Sequence, residues 1–215
     1  IPSLAQVNRS SITRHLAKSS LWTVFGAGGS RILVLLAMMM AARELGQVAF
    51  GEFGIIYTTL GVFGILAGAG LGSTITRFTA HYAHTEPDRA GRIIALVNSS
   101  SLITISITCA IIIIFSSNLA SHGLAAPHLE SELMLGTLFL AISAFRGIQN
   151  GTFAGLKRFD FIAKLNITDG VLTLVAMPLL VGSLGIKGAL LSLSLGPILS
   201  WIIGSYFLRI VLQNA

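Results

Sequence analysis

Six long apolar stretches, separated by short polar segments, dominate the sequence. They cover about 21–42, 53–73, 92–115, 133–154, 165–184 and 187–208. Each stretch is close to the ~20 residues that a helix needs to cross ~30 Å of hydrocarbon. Lipid offers no partner to unpaired backbone groups, and the period-2 alternation of a barrel strand is absent. The pattern therefore predicts an all-α polytopic membrane protein, built as a bundle of six transmembrane helices.

The composition excludes a soluble globular domain. Of the 215 residues, 53% are hydrophobic and only 10% are charged, whereas soluble domains carry about 25% charged residues. In a soluble protein, a net charge of +6 would suggest a nucleic-acid partner. Here the basic residues mark the face that meets anionic headgroups, so membrane lipids are the expected partners and nucleic acid is not.

The basic residues alternate between the two sides of the predicted bundle. Arg43 and Lys187 lie on one side, and Arg31 and Arg146 lie within spans. The other ten lie on the opposite side: Arg9, Arg14, Lys18, Arg77, Arg89, Arg92, Lys157, Arg158, Lys164 and Arg209. Because cytoplasmic loops carry the excess of Lys and Arg, both termini are predicted to be cytoplasmic.

The segments outside the spans are short. Residues 1–20 mix apolar and basic positions, which predicts a cytoplasmic arm forming a basic amphipathic helix on the membrane surface. A disordered basic tail is the alternative. Residues 21–209 form the transmembrane lobe, and residues 210–215 are interpreted as a cytoplasmic tail or as a link to a second lobe.

Two spans carry glycine at every fourth position. The rows are Gly64, Gly68 and Gly72, and Gly147, Gly151 and Gly155. Such a row makes a flat face along a helix, and small residues let a neighbouring backbone approach closely. We therefore predict that both rows pack against neighbouring helices.

Three charged residues lie in the interior of the spans, away from their ends: Arg31, Arg146 and Asp169. A cation at the bilayer centre costs about 2.5–3.5 kcal/mol on insertion scales, so it faces a cavity or a partner. One interpretation is an Arg–Asp pair that fixes helix packing. The other is a cationic, water-filled cavity walled by Arg31 and Arg146, which would bind phosphate or pyrophosphate through bidentate hydrogen bonds. Two cations against one anion favour the cavity.

Catalytic and metal-binding patterns are not found in the sequence. Ser, His and Asp residues are scattered, and His81 and His84 lack a third ligand. The glycines at 26, 28 and 29 follow no strand, so they do not form a dinucleotide-binding loop. We expect no enzyme, no metal and no cofactor.

Short motifs in the right order carry a family resemblance. They are Arg-Glu-Leu-Gly at 43–46, Phe-Gly-Glu-Phe-Gly at 50–54, Gly-Leu-Gly at 70–72 followed by Arg77, Gly-Leu-Lys-Arg-Phe at 155–159, and Leu-Gly-Ile-Lys-Gly-Ala at 184–189. The chain resembles the polysaccharide and lipid-linked oligosaccharide flippases of the multidrug/oligosaccharidyl-lipid/polysaccharide (MOP) exporter superfamily.

The resemblance implies a MATE-like transporter of two six-helix lobes that works by alternating access. This chain would be the amino-terminal lobe, and its partner would be a second six-helix lobe, either a missing carboxy-terminal half or another chain. The implied cargo is a lipid-linked oligosaccharide of the undecaprenyl-pyrophosphate type, flipped across the inner membrane.

Two alternatives to this function remain open. A drug or small-cation exporter of the same superfamily would favour acidic residues in its cavity. A non-transporting structural subunit would keep Arg31 and Arg146 paired and buried.

Overall fold

The structure is a computed structural model that describes the backbone of residues 4–68, 70–82 and 87–213, and side chains within 26–208. The described backbone is helical apart from short connections and contains no strand. The α-helices are α1 (Leu4–Gly68), α2 (Leu71–Tyr82), α3 (Pro87–Ile114), α4 (Ser116–Asn118), α5 (Glu130–Gly155), α6 (Phe159–Leu184) and α7 (Ile186–Gln213). A π-turn at Leu119–Gly123 and a 3₁₀ turn at Pro127–Leu129 lie between α4 and α5.

A break at Gly46 divides α1 into two membrane passes. The helix contains 65 residues, which would extend about 98 Å if straight, roughly three times the hydrocarbon thickness. Gly46 has φ 74° and ψ 175°, outside the helical region, and glycine reaches a positive φ at no steric cost. We call residues 21–45 the first pass and residues 47–68 the second pass.

Contacts between helices show that these two passes run in opposite directions. The first pass contacts α6 through Gly26 with Ala163 and through Leu33 with Gly170. The second pass contacts α5 through Leu60 with Gly136, and α2 contacts α5 through Thr79 with Gly155. Sequence numbers rise together in both sets, so each pair of elements runs parallel. Since a tight turn at 156–158 makes α5 and α6 antiparallel, the first and second passes are antiparallel as well.

The described chain therefore makes six passes. Five helical segments are long and apolar enough to cross a membrane, and the first of them, Gly28–Tyr82, contains both passes of α1. The prediction of an all-α, six-helix polytopic bundle is confirmed. The cytoplasmic placement of the termini stays a prediction, as do the limits of the arm and tail. The backbone is helical from Leu4, but the arm's side chains and residues 214–215 lie outside the described part.

One predicted span differs in detail. The apolar stretch at 53–73 was expected to be continuous, but the second pass ends at Gly68 and α2 begins at Leu71. Gly70, with φ 72°, separates the two helices. The hydropathy of the stretch gives its length but does not reveal a backbone break.

Apolar side chains fill the centre of the bundle and also cover its outside. The core includes Phe53, Leu60 and Leu140, each 1% exposed. On the outside, Ile65 is 77% exposed and Leu179 is 70% exposed. A soluble protein rarely exposes apolar patches of this extent, whereas hydrocarbon solvates them.

Candidate functional site

A buried arginine on α5 organises the polar interior of the bundle. Arg146 is only 4% exposed. Its Nε donates to Ser200 Oγ on α7 at 3.0 Å. Its Nη1 donates to Asn150 Oδ1 at 2.7 Å and to Gln149 Oε1 at 3.4 Å. The guanidinium therefore links its own helix to α7.

The remaining nitrogen of Arg146 faces α6. Nη2 lies 3.3 Å from Asp169 Oδ2 and donates to Asn166 Oδ1 at 3.4 Å. An arginine has five N–H donors. Four hydrogen bonds and the ion pair with Asp169 use most of this capacity inside the protein.

Gln149 extends this network along α7. Its Nε2 donates to the Trp201 carbonyl oxygen at 3.0 Å and to Ser205 Oγ at 3.2 Å. Gly204 lies so close that a Cβ there would be 2.5 Å from Gln149 Oε1. We call these residues the buried polar cluster: Arg146, Gln149, Asn150, Asn166, Asp169, Ser200 and Ser205. It holds α5, α6 and α7 together.

Asp169 contributes more than its ion pair. Its backbone oxygen would lie 2.7 Å from a Cβ at Gly196, so α7 approaches α6 closely there. Among the described buried side chains, Asp169 Oδ1 and Thr79 Oγ1 have no hydrogen-bond partner. The cluster thus retains one acceptor, on its only acidic member.

Arg31 lies apart from the cluster. Its side chain is exposed on the first pass, and within the described residues it forms no ion pair. Asp169 pairs with Arg146 and not with Arg31. Arg146 is buried and hydrogen-bonded within the bundle, whereas Arg31 is exposed, and the cavity walled by both arginines stays a prediction. A substrate-binding role for Arg31 stays a prediction.

The second glycine row lies against α2. Gly151 meets the Gly72 carbonyl oxygen, and a Cβ at Gly155 would lie 2.6 Å from Thr79 Cβ. A Cβ at Gly72 would lie 3.3 Å from the Gly147 carbonyl oxygen. Thr76 Oγ1 also donates to the Gly151 carbonyl oxygen at 2.9 Å. These contacts seat α2 directly on α5.

Gly64 and Gly68, unlike Gly72 of the same row, do not pack in this way against the described residues, and close packing there stays a prediction. A Cβ at either position would meet nothing within 4 Å among the described atoms. Both line an open groove of about 620 Å³ between the second pass and α5. We call it the glycine-lined groove. Its walls are Tyr57, Thr58, Leu60, Gly61, Gly64, Ile65, Gly68, Gly70, Gly72 and Ser73 on one side, and Phe139, Leu140, Ser143, Ala144, Gly147 and Ile148 on the other.

Comparison with known families identifies the chain. The sequence profile described as polysaccharide biosynthesis protein matches residues 16–214. The chain belongs to this family. The resemblance drawn from its short motifs is confirmed.

Two similar bacterial proteins are both named Lipid III flippase. The Lipid III flippases of Escherichia coli (strain K12) and Shigella flexneri are each 26% identical to this chain. In each case the match covers 86% of this chain and 44% of the relative. The chain therefore spans about half the length of the curated relatives it matches.

Solved transporters share the fold. A MATE protein in the straight conformation matches with a TM-score of 0.77 at 17% identity, over 100% of this chain and 48% of the other. A MOP superfamily transporter from Pyrococcus furiosus matches with a TM-score of 0.74 at 18% identity, over 90% and 44%. At such identities the similarity shows the fold alone. The fold of this chain corresponds to about half of a MATE-type transporter.

Proposed function

We propose that the chain is the amino-terminal lobe of a flippase that moves a lipid-linked oligosaccharide across the inner membrane by alternating access. One observation carries the proposal: a six-pass bundle of the polysaccharide biosynthesis family matches less than half of each relative named Lipid III flippase. The cargo class follows from that name and from the family description. Transport of this kind involves no covalent chemistry on the protein.

The proposal includes a second six-helix lobe, supplied by the same polypeptide or by another chain. Coverage of 44–48% of the solved transporters supports this partner. In alternating access, a cavity between two lobes opens first to one side and then to the other. A lobe that moves in this way must stay rigid, and the buried polar cluster supplies a cross-link among three of its helices.

Arg31 is our candidate for the residue that binds the headgroup of the cargo. It is the exposed intramembrane arginine of the described chain, and Arg146 is already satisfied internally. A planar guanidinium can donate two parallel hydrogen bonds to a phosphate or pyrophosphate oxygen pair. An undecaprenyl-pyrophosphate-type carrier would present such a group within the membrane.

Complementation tests the proposal. The protein is expressed from its native coding sequence in a bacterial strain that lacks its own flippase and accumulates the lipid-linked repeat unit. Surface polysaccharide should reappear with the wild type. It should fall at least about tenfold with Arg31→Ala, and Arg31→Lys should restore part of it, since an ammonium is a point charge without the planar fork.

Parallel measurements separate the alternatives. Protein level and melting temperature in detergent should match the wild type for Arg31→Ala. Lowered accumulation of a cationic dye without surface polysaccharide would indicate a drug exporter instead. If the wild type produced neither effect, the transporter proposal would be wrong, and the structural-subunit alternative would replace it.

A further inference from the structure

The glycine-lined groove is apolar and lies at the depth of the membrane-spanning helices. It runs along the second pass and the start of α2, from Tyr57 to Ser73, a length of roughly 24 Å at 1.5 Å per residue. The rings of Tyr57 and Phe139, with centroids 5.7 Å apart, close one end. Because glycines form much of one wall, the groove is open along its side to a slender chain. A flexible hydrocarbon tail matches its polarity, and a segment of such a tail would occupy its length.

A basic helix face continues from the other end of the groove. Ser73 lines the groove, and Arg77 and His81 follow it at successive intervals of four residues on α2. Residues at this spacing share one helix face. All three side chains are exposed, while Ile75 and Thr79 on the opposite face are buried. The apolar groove therefore leads directly to the exposed Arg77 guanidinium.

A second concave region adjoins this face. It has a volume of about 630 Å³ and is bordered by Arg77, Phe78 and His81. Helix α2 carries Arg77 and contains no acidic residue, while Glu86 and Asp88 follow it in the sequence. The Arg77 guanidinium is the cation that α2 offers to an anion.

We propose that the groove and the α2 face form one binding site for a lipid with a phosphate or pyrophosphate headgroup. The tail would lie in the glycine-lined groove and the phosphate would contact Arg77, with His81 beside it. A soluble anion would leave the groove unused, and a neutral lipid would leave Arg77 unused.

The occupant is a single-chain lipid. The groove is a single seam between the second pass and α5. A polyprenyl carrier has one tail and a phosphorylated head. This choice of occupant rests on the proposed function, and it places the carrier on the second pass, α2 and α5 rather than on Arg31 alone.

Lipid binding to the purified protein tests the site. The protein, expressed from its native coding sequence, is reconstituted in phosphatidylcholine nanodiscs. Native mass spectrometry then measures binding of undecaprenyl pyrophosphate, undecaprenol and phosphatidylglycerol. Arg77→Ala removes the cation. Gly61→Leu fills the groove at a position where a Cβ meets nothing within 4 Å.

Two control variants are matched to these. Arg43→Ala makes the same substitution at an exposed arginine beside Gly46, at the opposite end of the bundle from Arg77. Gly51→Leu adds the same side chain to the same pass, also where nothing lies within 4 Å, outside the groove. Both should bind undecaprenyl pyrophosphate within about twofold of the wild type.

Arg77→Ala should weaken binding of undecaprenyl pyrophosphate at least about tenfold, since charge-assisted hydrogen bonds are the strong ones. It should leave undecaprenol binding unchanged, and Gly61→Leu should weaken both. Equal binding of phosphatidylglycerol with the same Arg77 dependence would overturn the choice of occupant. Unchanged binding in Arg77→Ala or Gly61→Leu would overturn the site.

Two further results are decisive. If Gly61→Leu does not fold, Ser143→Leu on the opposite wall replaces it, and normal binding by that variant would overturn the groove. If a second lobe fills the groove, no lipid will bind in the wild type, which also overturns the inference. Restored surface polysaccharide together with unaffected lipid binding would refute this site while leaving the proposed function standing.

Discussion

At the scale of single residues, Arg146 shows how this bundle accommodates a charge inside the membrane. A cation at the bilayer centre costs about 2.5–3.5 kcal/mol on insertion scales. The ion pair with Asp169 and the hydrogen bonds that the guanidinium donates to Ser200, Gln149, Asn150 and Asn166 offset that cost. The same contacts fix the spacing of α5, α6 and α7, so the charge stabilises the packing.

Breaking this pair should destabilise the lobe strongly. Arg146→Gln or Asp169→Asn each leaves a buried partner uncompensated, which costs about 3–5 kcal/mol. The double variant should recover part of that loss, because neither charge remains. Denaturant unfolding in detergent measures the free energies.

Arg31→Ala is the control for this pair and should change the free energy of unfolding by less than about 0.5 kcal/mol, as exposed positions usually do. If the Arg146 and Asp169 single variants both unfolded like the wild type, the cluster would not hold these helices together.

The sequence identifies Arg146 and Asp169 because they interrupt apolar runs, but it does not identify their partners. The first pass also contacts α6, so an Arg31–Asp169 pair was equally compatible with the pattern. The choice depends on how each helix is rotated. Asn150 and Asn166 were missed as members of the cluster. Their spacing, four residues after Arg146 and three before Asp169, was the available signal.

At the scale of helices, the two glycine rows have the same spacing and different surroundings. Gly151 and Gly155 seat α2 on α5, whereas Gly64 and Gly68 border the groove. A four-residue period gives a smooth helix face, but it does not determine what lies against that face. The neighbour depends on where the second pass diverges from α5, which sequence periodicity does not encode.

Matched glycine variants test this difference. Gly151→Ala adds a Cβ against the Gly72 carbonyl oxygen, which is backbone and yields little, so we expect a loss of about 1–3 kcal/mol. Gly68→Ala meets nothing within 4 Å and should change the free energy of unfolding by less than about 0.5 kcal/mol. Melting curves in detergent compare the two. Equal losses would mean that the first row is close-packed as well.

The hydropathy of the sequence also did not reveal where the helices break. The polar segment after the first apolar stretch suggested a loop, yet the structure is helical on both sides of Gly46 and reverses at that residue alone. Gly70 similarly separates the second pass from α2. Many glycines occur in these spans, and only the folded backbone shows which of them adopt a positive φ.

At the scale of the whole molecule, the fold was predictable because the bilayer permits few solutions. A long apolar stretch must be a helix, so counting stretches gave the six passes that the structure contains. The antiparallel order then places the connections alternately at the two ends. Gln47 and Ser121 lie at one end of the bundle, and Lys157 lies at the other. Which end faces the cytoplasm depends on the surrounding membrane and not on internal contacts.

Cysteine labelling of sealed cells tests the orientation predicted from the distribution of Lys and Arg. In a Cys109→Ala background, which removes the chain's one cysteine, Gln47→Cys and Ser121→Cys should react with an impermeant thiol reagent. Lys157→Cys should react only after the cells are permeabilised, because its end of the bundle carries the basic excess that cytoplasmic loops show. The permeabilised sample is also the control that Lys157→Cys is accessible. Labelling of Lys157→Cys in sealed cells, with Gln47→Cys and Ser121→Cys protected, would invert the lobe and place the Arg77 end of the groove on the outer leaflet.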